Sequence, residues 1–258
     1  GNKSRWWRPV ITGDNRTLIM KVNVERFHVY YPTLLSIWKS GELPLLCKQW
    51  GPQQMAYLSA DQQHIFISTE QGVALYELDD CGVDDTYPAI TYENVLGVFS
   101  PNLEYITNVV RLSPMPEDDR FVILRDMDSG SERTVGVGAY PAWSRDSQWL
   151  AYTGKDGIYI ANILIQSETR RVVEYTNPYE FENDPTYSAG EYYRISPEAS
   201  WSPDGKWLVY HRWIGTDYYT GTNPDYNAIY ILNLETGEET KILDGGMYPY
   251  WRWPAAEE

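Results

Sequence analysis

The chain has 258 residues, 43% of them apolar, and a formal charge of −15 at pH 7, so it holds enough apolar mass to fill the core of one large domain. The acidic excess repels phosphate and makes nucleic acid an unsuitable partner. No run approaches the ~18 apolar residues of a membrane span, so membrane insertion is not expected. Gly1 is neither an initiator Met nor the start of a signal-peptide pattern, as expected of a processed end or of a piece of a longer protein.

Five similar units follow one another. In the first, Pro9-Val-Ile-Thr12 reads as a strand that ends at a Gly13-Asp14 turn, with Leu18 and Met20 on the returning strand. The second runs through Ala56-Tyr-Leu-Ser59 and Asp61 to Ile65 and Ile67, and the third through Gly97-Val-Phe-Ser100 and Asn102 to Ile106. The fourth and fifth match best. Pro141-Ala-Trp-Ser-Arg-Asp-Ser-Gln-Trp-Leu-Ala-Tyr152 and Ala199-Ser-Trp-Ser-Pro-Asp-Gly-Lys-Trp-Leu-Val-Tyr210 agree without a gap at Trp, Ser, Asp, Trp, Leu and Tyr. The turn Asp or Asn recurs at 14, 61, 102, 146 and 204, at spacings of 47, 41, 44 and 58 residues, close to the ~40–50 residues of a propeller blade.

Each unit reads as four strands. A strand ending in Trp-Ser reverses at an Asp-Gly turn, where Asp bonds nearby backbone and Gly supplies a positive φ. A second strand returns, a third of the type Ile158-Tyr-Ile-Ala-Asn162 follows, and it recurs as Ile229-Tyr-Ile-Leu-Asn233 and Val73-Ala-Leu-Tyr-Glu77. A turn such as Glu235-Thr-Gly237 or Asp128-Ser-Gly130 then leads to an edge strand such as Thr240-Lys-Ile-Leu243. No helical period of adequate length intervenes.

The Trp-Ser-Pro-Asp-Gly-Lys pattern, followed by Leu-x-Tyr and Ile-Tyr-Ile, resembles the TolB-like (WD40-like) propeller repeat over about residues 8 to 253. The turns at 13–16 and 60–63 depart most from it. The resemblance implies an all-β fold, a five-bladed β-propeller of four-stranded antiparallel blades. The expected domain is 1–258, with blades at 8–50, 51–94, 95–138, 139–176 and 195–246. Tyr248-Pro-Tyr-Trp-Arg-Trp253 reads as one more first strand. Taken as a closing strand at 247–253, it would pair with the N-terminal blade and remove an exposed edge; the alternative is an incomplete six-bladed propeller. The resemblance further implies a bacterial periplasmic or extracellular setting, shared by binding scaffolds, sensor domains and the propellers that gate prolyl-peptidase-type enzymes.

In an up-and-down blade the second-to-third connection and the link to the next blade leave on one face. The segments 23–33, 109–119, 175–197 and 212–227 fall there, and they are long. They carry Tyr30 and Tyr31, then Tyr179, Tyr187, Tyr192 and Tyr193, then Tyr218, Tyr219 and Tyr226, with acids such as Glu117, Glu180, Glu182 and Asp184 between. Tyrosine offers contact area and a hydroxyl at low entropic cost, which suits recognition; packing of each ring onto its own blade is the competing reading. The expected role is a non-catalytic scaffold for a protein, peptide or glycan. A structural module of an extracellular assembly and a propeller glycosidase are the alternatives.

Other features resolve into local structure. Trp143, Trp201 and Trp251 hold the first-strand position, so they read as inter-blade core. The pair Asp126 and Asp128 matches Asn233 and Glu235 in position, which makes it a turn rather than a cation site. Ser202-Pro-Asp-Gly205 is like a sialidase Asp-box but is accounted for by the propeller turn. His28, His64 and His211 lack metal-ligand spacing, so no metal and no cofactor are expected. The sequons at Asn2 and Asn15 are of a kind that arises by chance. Cys47 reads as the end of a fourth strand and Cys81 as a turn on the opposite face, too far apart for a disulfide. No Gly-x-Ser-x-Gly or phosphate-cradling loop is present, no hydrolase domain is expected to go with a sequence read as ending at Glu258, and the first strands carry no Asp or Glu for a glycosidase pair.

Overall fold

A computed structural model of the chain describes residues 3–11, 16–24, 33–39, 45–50, 53–58, 64–69, 72–77, 90–93, 98–111, 120–154, 156–174, 199–213, 227–246 and 249–251; for those before 98 the description is of strand pairing. The described residues contain strands and turns and no helix, hence no helix long and apolar enough to cross a membrane. The strands form antiparallel sheets of four, each in the order of the sequence. The first sheet is β1 (Lys3–Ile11), β2 (Arg16–Val24), β3 (Thr33–Lys39) and β4 (Leu45–Trp50); the second is β5 (Gln53–Leu58), β6 (His64–Thr69), β7 (Gly72–Glu77) and β8 (Ile90–Glu93). The third is β9 (Val98–Phe99), β10 (Tyr105–Arg111), β11 (Arg120–Asp126) and β12 (Glu132–Val137). The fourth is β13 (Ala139–Trp143), β14 (Trp149–Gly154), β15 (Gly157–Asn162) and β16 (Thr169–Glu174), and the fifth is β17 (Ala199–Trp201), β18 (Trp207–Trp213), β19 (Asn227–Asn233) and β20 (Glu239–Asp244).

Two compact units emerge, Gly1–Gly97 with Arg252–Glu258, and Val98–Trp251. In the first, β1 is longer than the strand read at 9–12 and begins at Lys3. Cys47 lies inside β4 rather than at its end, and Cys81 lies outside the described residues.

In the second unit one local device is built three times. The serine after the first strand is buried: Ser100, Ser144 and Ser202. Its Oγ accepts the backbone N–H of Tyr105, Trp149 or Trp207 at 2.9 Å in each case. The hydroxyl also donates to the turn residue two positions on, Asn102 at 2.7 Å, Asp146 at 2.6 Å and Asp204 at 2.5 Å. The same side-chain oxygen takes the N–H of Glu104, Gln148 or Lys206. The turn thus satisfies its own polar groups, which is why the Ser-x-Asp spacing recurs. The left-handed position is held by Leu103, Ser147 and Gly205, with φ of 64°, 61° and 71°. Only the last is the glycine the motif leads one to expect.

The turn between third and fourth strands is capped alike. Asp126, Asn162 and Asn233 each accept two successive backbone N–H groups two and three residues on. The two turns of each sheet are then tied together, through Met127 N–H to Glu104 O, Ile163 N–H to Gln148 O and Leu234 N–H to Lys206 O at 2.8–2.9 Å. A register shift falls at the same place in all three edge pairings, at Val122/Ile123, Ile158/Tyr159 and Ile229/Tyr230. Such bulges twist an edge away from further pairing.

The three sheets stack in one sense. Trp143 donates its indole N–H to the Val98 carbonyl at 3.1 Å, and Trp201 donates to the Ala142 carbonyl at 2.9 Å. Val98 and Ala142 each precede the equivalent aromatic of the preceding sheet. On the fourth strands, Arg133 donates to the Ile163 carbonyl and Arg170 to the Leu234 carbonyl, again at matching positions. Between the fourth and fifth sheets, Ala151, Ile158, Ile160 and Val173 pack against Ala199, Trp201, Leu208, Tyr210 and Leu232. Trp143 and Trp201 are therefore inter-sheet core, as their place in the repeat indicates, whereas Trp251 is half-buried and outside any described strand.

Candidate functional site

Strand order decides where a ligand-binding face lies. In the second unit the short, doubly bonded turns occupy one end of the sheets. The flanks of the long segments, Arg111 and Arg120, Glu174 and Ala199, Trp213 and Asn227, all occupy the other end. The tyrosines proposed for recognition, Tyr30, Tyr31, Tyr179, Tyr187, Tyr192, Tyr193, Tyr218, Tyr219 and Tyr226, lie outside the described residues.

What the structure does describe at that end is a braced rim. The hairpin between β14 and β15 places Asp156 beside the last residues of β16. Tyr159 donates its hydroxyl to Asp156 at 2.8 Å, Arg171 is bonded to the other carboxylate oxygen, and Arg171 also pairs with Glu174 at 3.0 Å. Burial would raise the Asp156 pKa, but the Tyr159 and Arg171 bonds outweigh it and hold the carboxyl below its ordinary range. The fifth sheet repeats the bracing at the matching positions, where Lys241 pairs with Asp244 at 2.7 Å. These exposed pairs add little stability; they fix the strand end from which the 175–198 segment departs.

Two stacked tyrosine pairs sit behind the rim. Tyr152 and Tyr159 lie 5.5 Å apart at 12°, and Tyr210 and Tyr230 lie 5.9 Å apart at 16°. Burial pushes the Tyr152 phenol up to about 12, with Tyr159 adding to it. Burial raises the Tyr210 phenol still further, and Glu239 beside it adds to the shift. Arg212 lies over Tyr230 and pairs with Glu239 at 2.9 Å. Neither phenol ionises at neutral pH, so these are neutral packing groups rather than bases.

One residue escaped the sequence reading. Tyr140, on the innermost strand of its sheet, has φ of 56° at the irregularity between Ala139 and Ala142. A non-glycine in this region costs about 1 kcal/mol or more. The signal available was the pair Tyr140-Pro141, repeated as Tyr248-Pro249. Asp126 is accounted for by its turn, where the Ser129 N–H, foremost among its bonds, lowers its pKa. The described inner strands β9, β13 and β17 carry no Asp or Glu.

Asp204 offers a test of the turn device. Its carboxyl is held below the ordinary range, first by the Ser202 hydroxyl and then by the Lys206 N–H. A depressed folded-state pKa gives stability that is complete above the unfolded value of ~3.9 and lost as pH falls through the folded value. The melting temperature is expected to fall below about pH 4, and to fall less steeply in Asp204→Asn, which keeps the acceptor without the proton linkage. Parallel acid limbs in thermal scans of the two proteins would refute this.

No protein-family model matches the chain, and no curated protein matches it. Solved structures do. TolB from Acinetobacter baumannii superposes with a TM-score of 0.54 at 14% identity, over 82% of this chain and 50% of that one. The protein assigned as TolB from Agrobacterium tumefaciens gives 0.56 at 15% identity, over 98% and 87%. The fold is that of a TolB-like β-propeller. The sheets β9–β12, β13–β16 and β17–β20 stack as the blades of that fold do. An oligogalacturonate lyase in complex with manganese shares the fold, with a TM-score of 0.53 at 14% identity, over 90% of this chain and 63% of the lyase. The chain thus spans half the length of the Acinetobacter TolB and less than two thirds of the lyase. At such identities the likeness concerns the fold of the TolB-like propeller and not its ligands.

Proposed function

We propose that this TolB-like propeller is a non-catalytic interaction scaffold, a closed ring of five blades that presents a tyrosine-rich, acidic face to a protein, peptide or glycan. The observation that carries the reading is the asymmetry of the second unit. One end of its blades is locked by repeated short turns, while the strand ends flanking the 112–119, 175–198 and 214–226 segments share the other. Long segments on a rigid frame are where recognition residues concentrate. Tyr179, Tyr187, Tyr192, Tyr193, Tyr218, Tyr219 and Tyr226 belong to two of those segments, and Tyr140 stands on an inner strand toward the same end. Tyr30 and Tyr31 belong to the equivalent segment of the first blade.

The TolB likeness favours a protein or peptide ligand and a periplasmic or extracellular setting in a bacterium. A lyase-like or glycosidase-like activity has only the shared fold in its favour, and the described inner strands carry no carboxylate pair for it.

The test is affinity capture with the intact propeller and with a Tyr192→Ala, Tyr193→Ala, Tyr218→Ala, Tyr219→Ala variant. Hot-spot tyrosines are each worth upward of ~1 kcal/mol, so recovery of a partner is expected to fall about tenfold or more. Circular dichroism and melting should stay close to the parent. Equal recovery by both proteins would remove this face from the function.

A further inference from the structure

The short-turn end of the sheets breaks its own pattern at one place. The turns between third and fourth strands align at their caps, Asp126, Asn162 and Asn233. Two and three residues past the cap stand Asp128 and Ser129 in the third blade, and Glu235 and Thr236 in the fifth. The fourth blade has Leu164 and Ile165 there, 68% and 47% exposed. Its turn is also one residue longer, because Asn162 N–H reaches Glu168 O where Asp126 and Asn233 reach Ser131 and Glu238. A single exposed apolar side chain is ordinary. Here two adjacent ones are held outward on a fixed backbone. Asn162 Oδ1 accepts both of their N–H groups, the Ile165 carbonyl accepts the Glu168 N–H at 2.9 Å, and Ile163 beneath them is buried. A ligand seated on this turn has little backbone to order.

Charge departs from the pattern at the same turn. The chain carries a net −15, and Arg125, Arg171, Lys206, Arg212 and Lys241 are paired with carboxylates. Arg133 and Arg170 bond backbone carbonyls instead, Ile163 at 2.6 Å and Leu234 at 3.4 Å. Arg133 reaches the Leu164 turn from the third blade, and Arg170 stands on β16 just past it and leans toward the fifth. The acids nearest in sequence are engaged within the turns. Asp146 accepts from the Ser144 hydroxyl and the Gln148 N–H, and Glu168 accepts from the Asn162 amide. The apolar pair is thus flanked by two guanidinium groups that no carboxylate among the described residues neutralises.

We infer that this turn is a second interaction surface, a docking point for an acidic peptide segment of a partner protein. Apolar side chains of that segment lie on Leu164 and Ile165, and its carboxylates take Arg133 and Arg170. Guanidinium–carboxylate bonds are charge-assisted and directional, so they set orientation as well as attraction. The acidic remainder of the surface repels the same segment elsewhere, which confines it to this turn. The site lies at the end of the blades away from the tyrosine-bearing segments, and neither surface depends on the other.

The test is fluorescence anisotropy with a labelled synthetic peptide that carries a Leu-Leu pair between Glu residues. Saturable binding to the intact propeller is expected, about tenfold weaker in a Leu164→Ser, Ile165→Ser variant and in an Arg133→Gln, Arg170→Gln variant. Arg170→Gln alone, at an exposed position, serves if the double variant melts early. No saturable binding, equal binding of a peptide with Lys in place of Glu, or parent-like binding by these variants overturns the site. The variant lacking Tyr192, Tyr193, Tyr218 and Tyr219 is expected to bind the peptide as the parent does. A loss there moves the peptide to the tyrosine face and overturns this inference, while leaving the proposed function standing. Light scattering reads the remaining occupant. Self-association that disappears in Leu164→Ser, Ile165→Ser assigns the turn to a second copy and overturns the peptide site.

Discussion

Trp201→Ala is expected to destabilise the protein by about 3–5 kcal/mol, the range for removing a buried Trp or Phe. Trp201 is 3% exposed and packs with Ala151, Ile158, Ile160 and Val173 of the fourth blade and with Leu208 and Tyr210 of its own. The loss has two parts. The larger is the cavity left where the indole filled the wedge between two sheets, which backbone pairing on both sides keeps from collapsing. The smaller is the Ala142 carbonyl, left without the donor that now reaches it at 2.9 Å. Trp201→Phe separates them, because it keeps most of the volume and removes the bond, for a loss of about 1 kcal/mol. Urea denaturation of the three proteins measures both. If Trp201→Ala cost no more than Trp201→Phe, the blades would not depend on this ring for their packing.

How much of this was legible in the sequence depends on the range of the interaction. The Ser-x-Asp turn is local, so its spacing shows directly in the residues, and Asn102 in place of Asp preserves the same acceptor. Trp143 and Trp201 were readable as core because the repeat places them on the first strand. The position of Asp126 in the repeat likewise identified a turn. The Arg133 and Arg170 bridges were not readable, since each depends on where a flexible side chain meets the neighbouring sheet. The same holds for Gly136, which leaves room for the Tyr152 ring of the following blade. Tyr140 was missed because its one signal, the repeated Tyr-Pro pair, does not by itself specify a positive φ on a non-glycine. The tyrosine-bearing segments have no period to read. Their composition suggests a role, while strand order alone fixes the end from which their flanking strands depart.

Gly157→Ala is the second large effect, and here the cause is backbone rather than cavity. Gly157 opens β15, opposite Gly154 on one side and Glu174 on the other. A Cβ there would fall well inside the envelope of the Val173 carbonyl oxygen and 3.0 Å from Arg171 Cδ. A side chain can rotate away from such a clash, but a carbonyl fixed in a strand cannot. Relief requires β16 to shift, which takes Val173 out of the core it shares with the fifth blade and pulls Arg171 from Asp156. Overpacking of this kind costs typically 1–3 kcal/mol and sometimes more, and about 3 kcal/mol is expected by urea denaturation. Gly205→Ala supplies the control. Nothing lies within 4 Å of the added methyl group, and only the φ of 71° resists it, so a loss of about 1 kcal/mol is expected. Equal losses at the two sites would mean that β16 is not held in register by its neighbours. The Asp156–Arg171–Glu174 brace would then have nothing rigid to act on, and the strand end that launches the 175–198 segment would lose its claim to be a fixed platform.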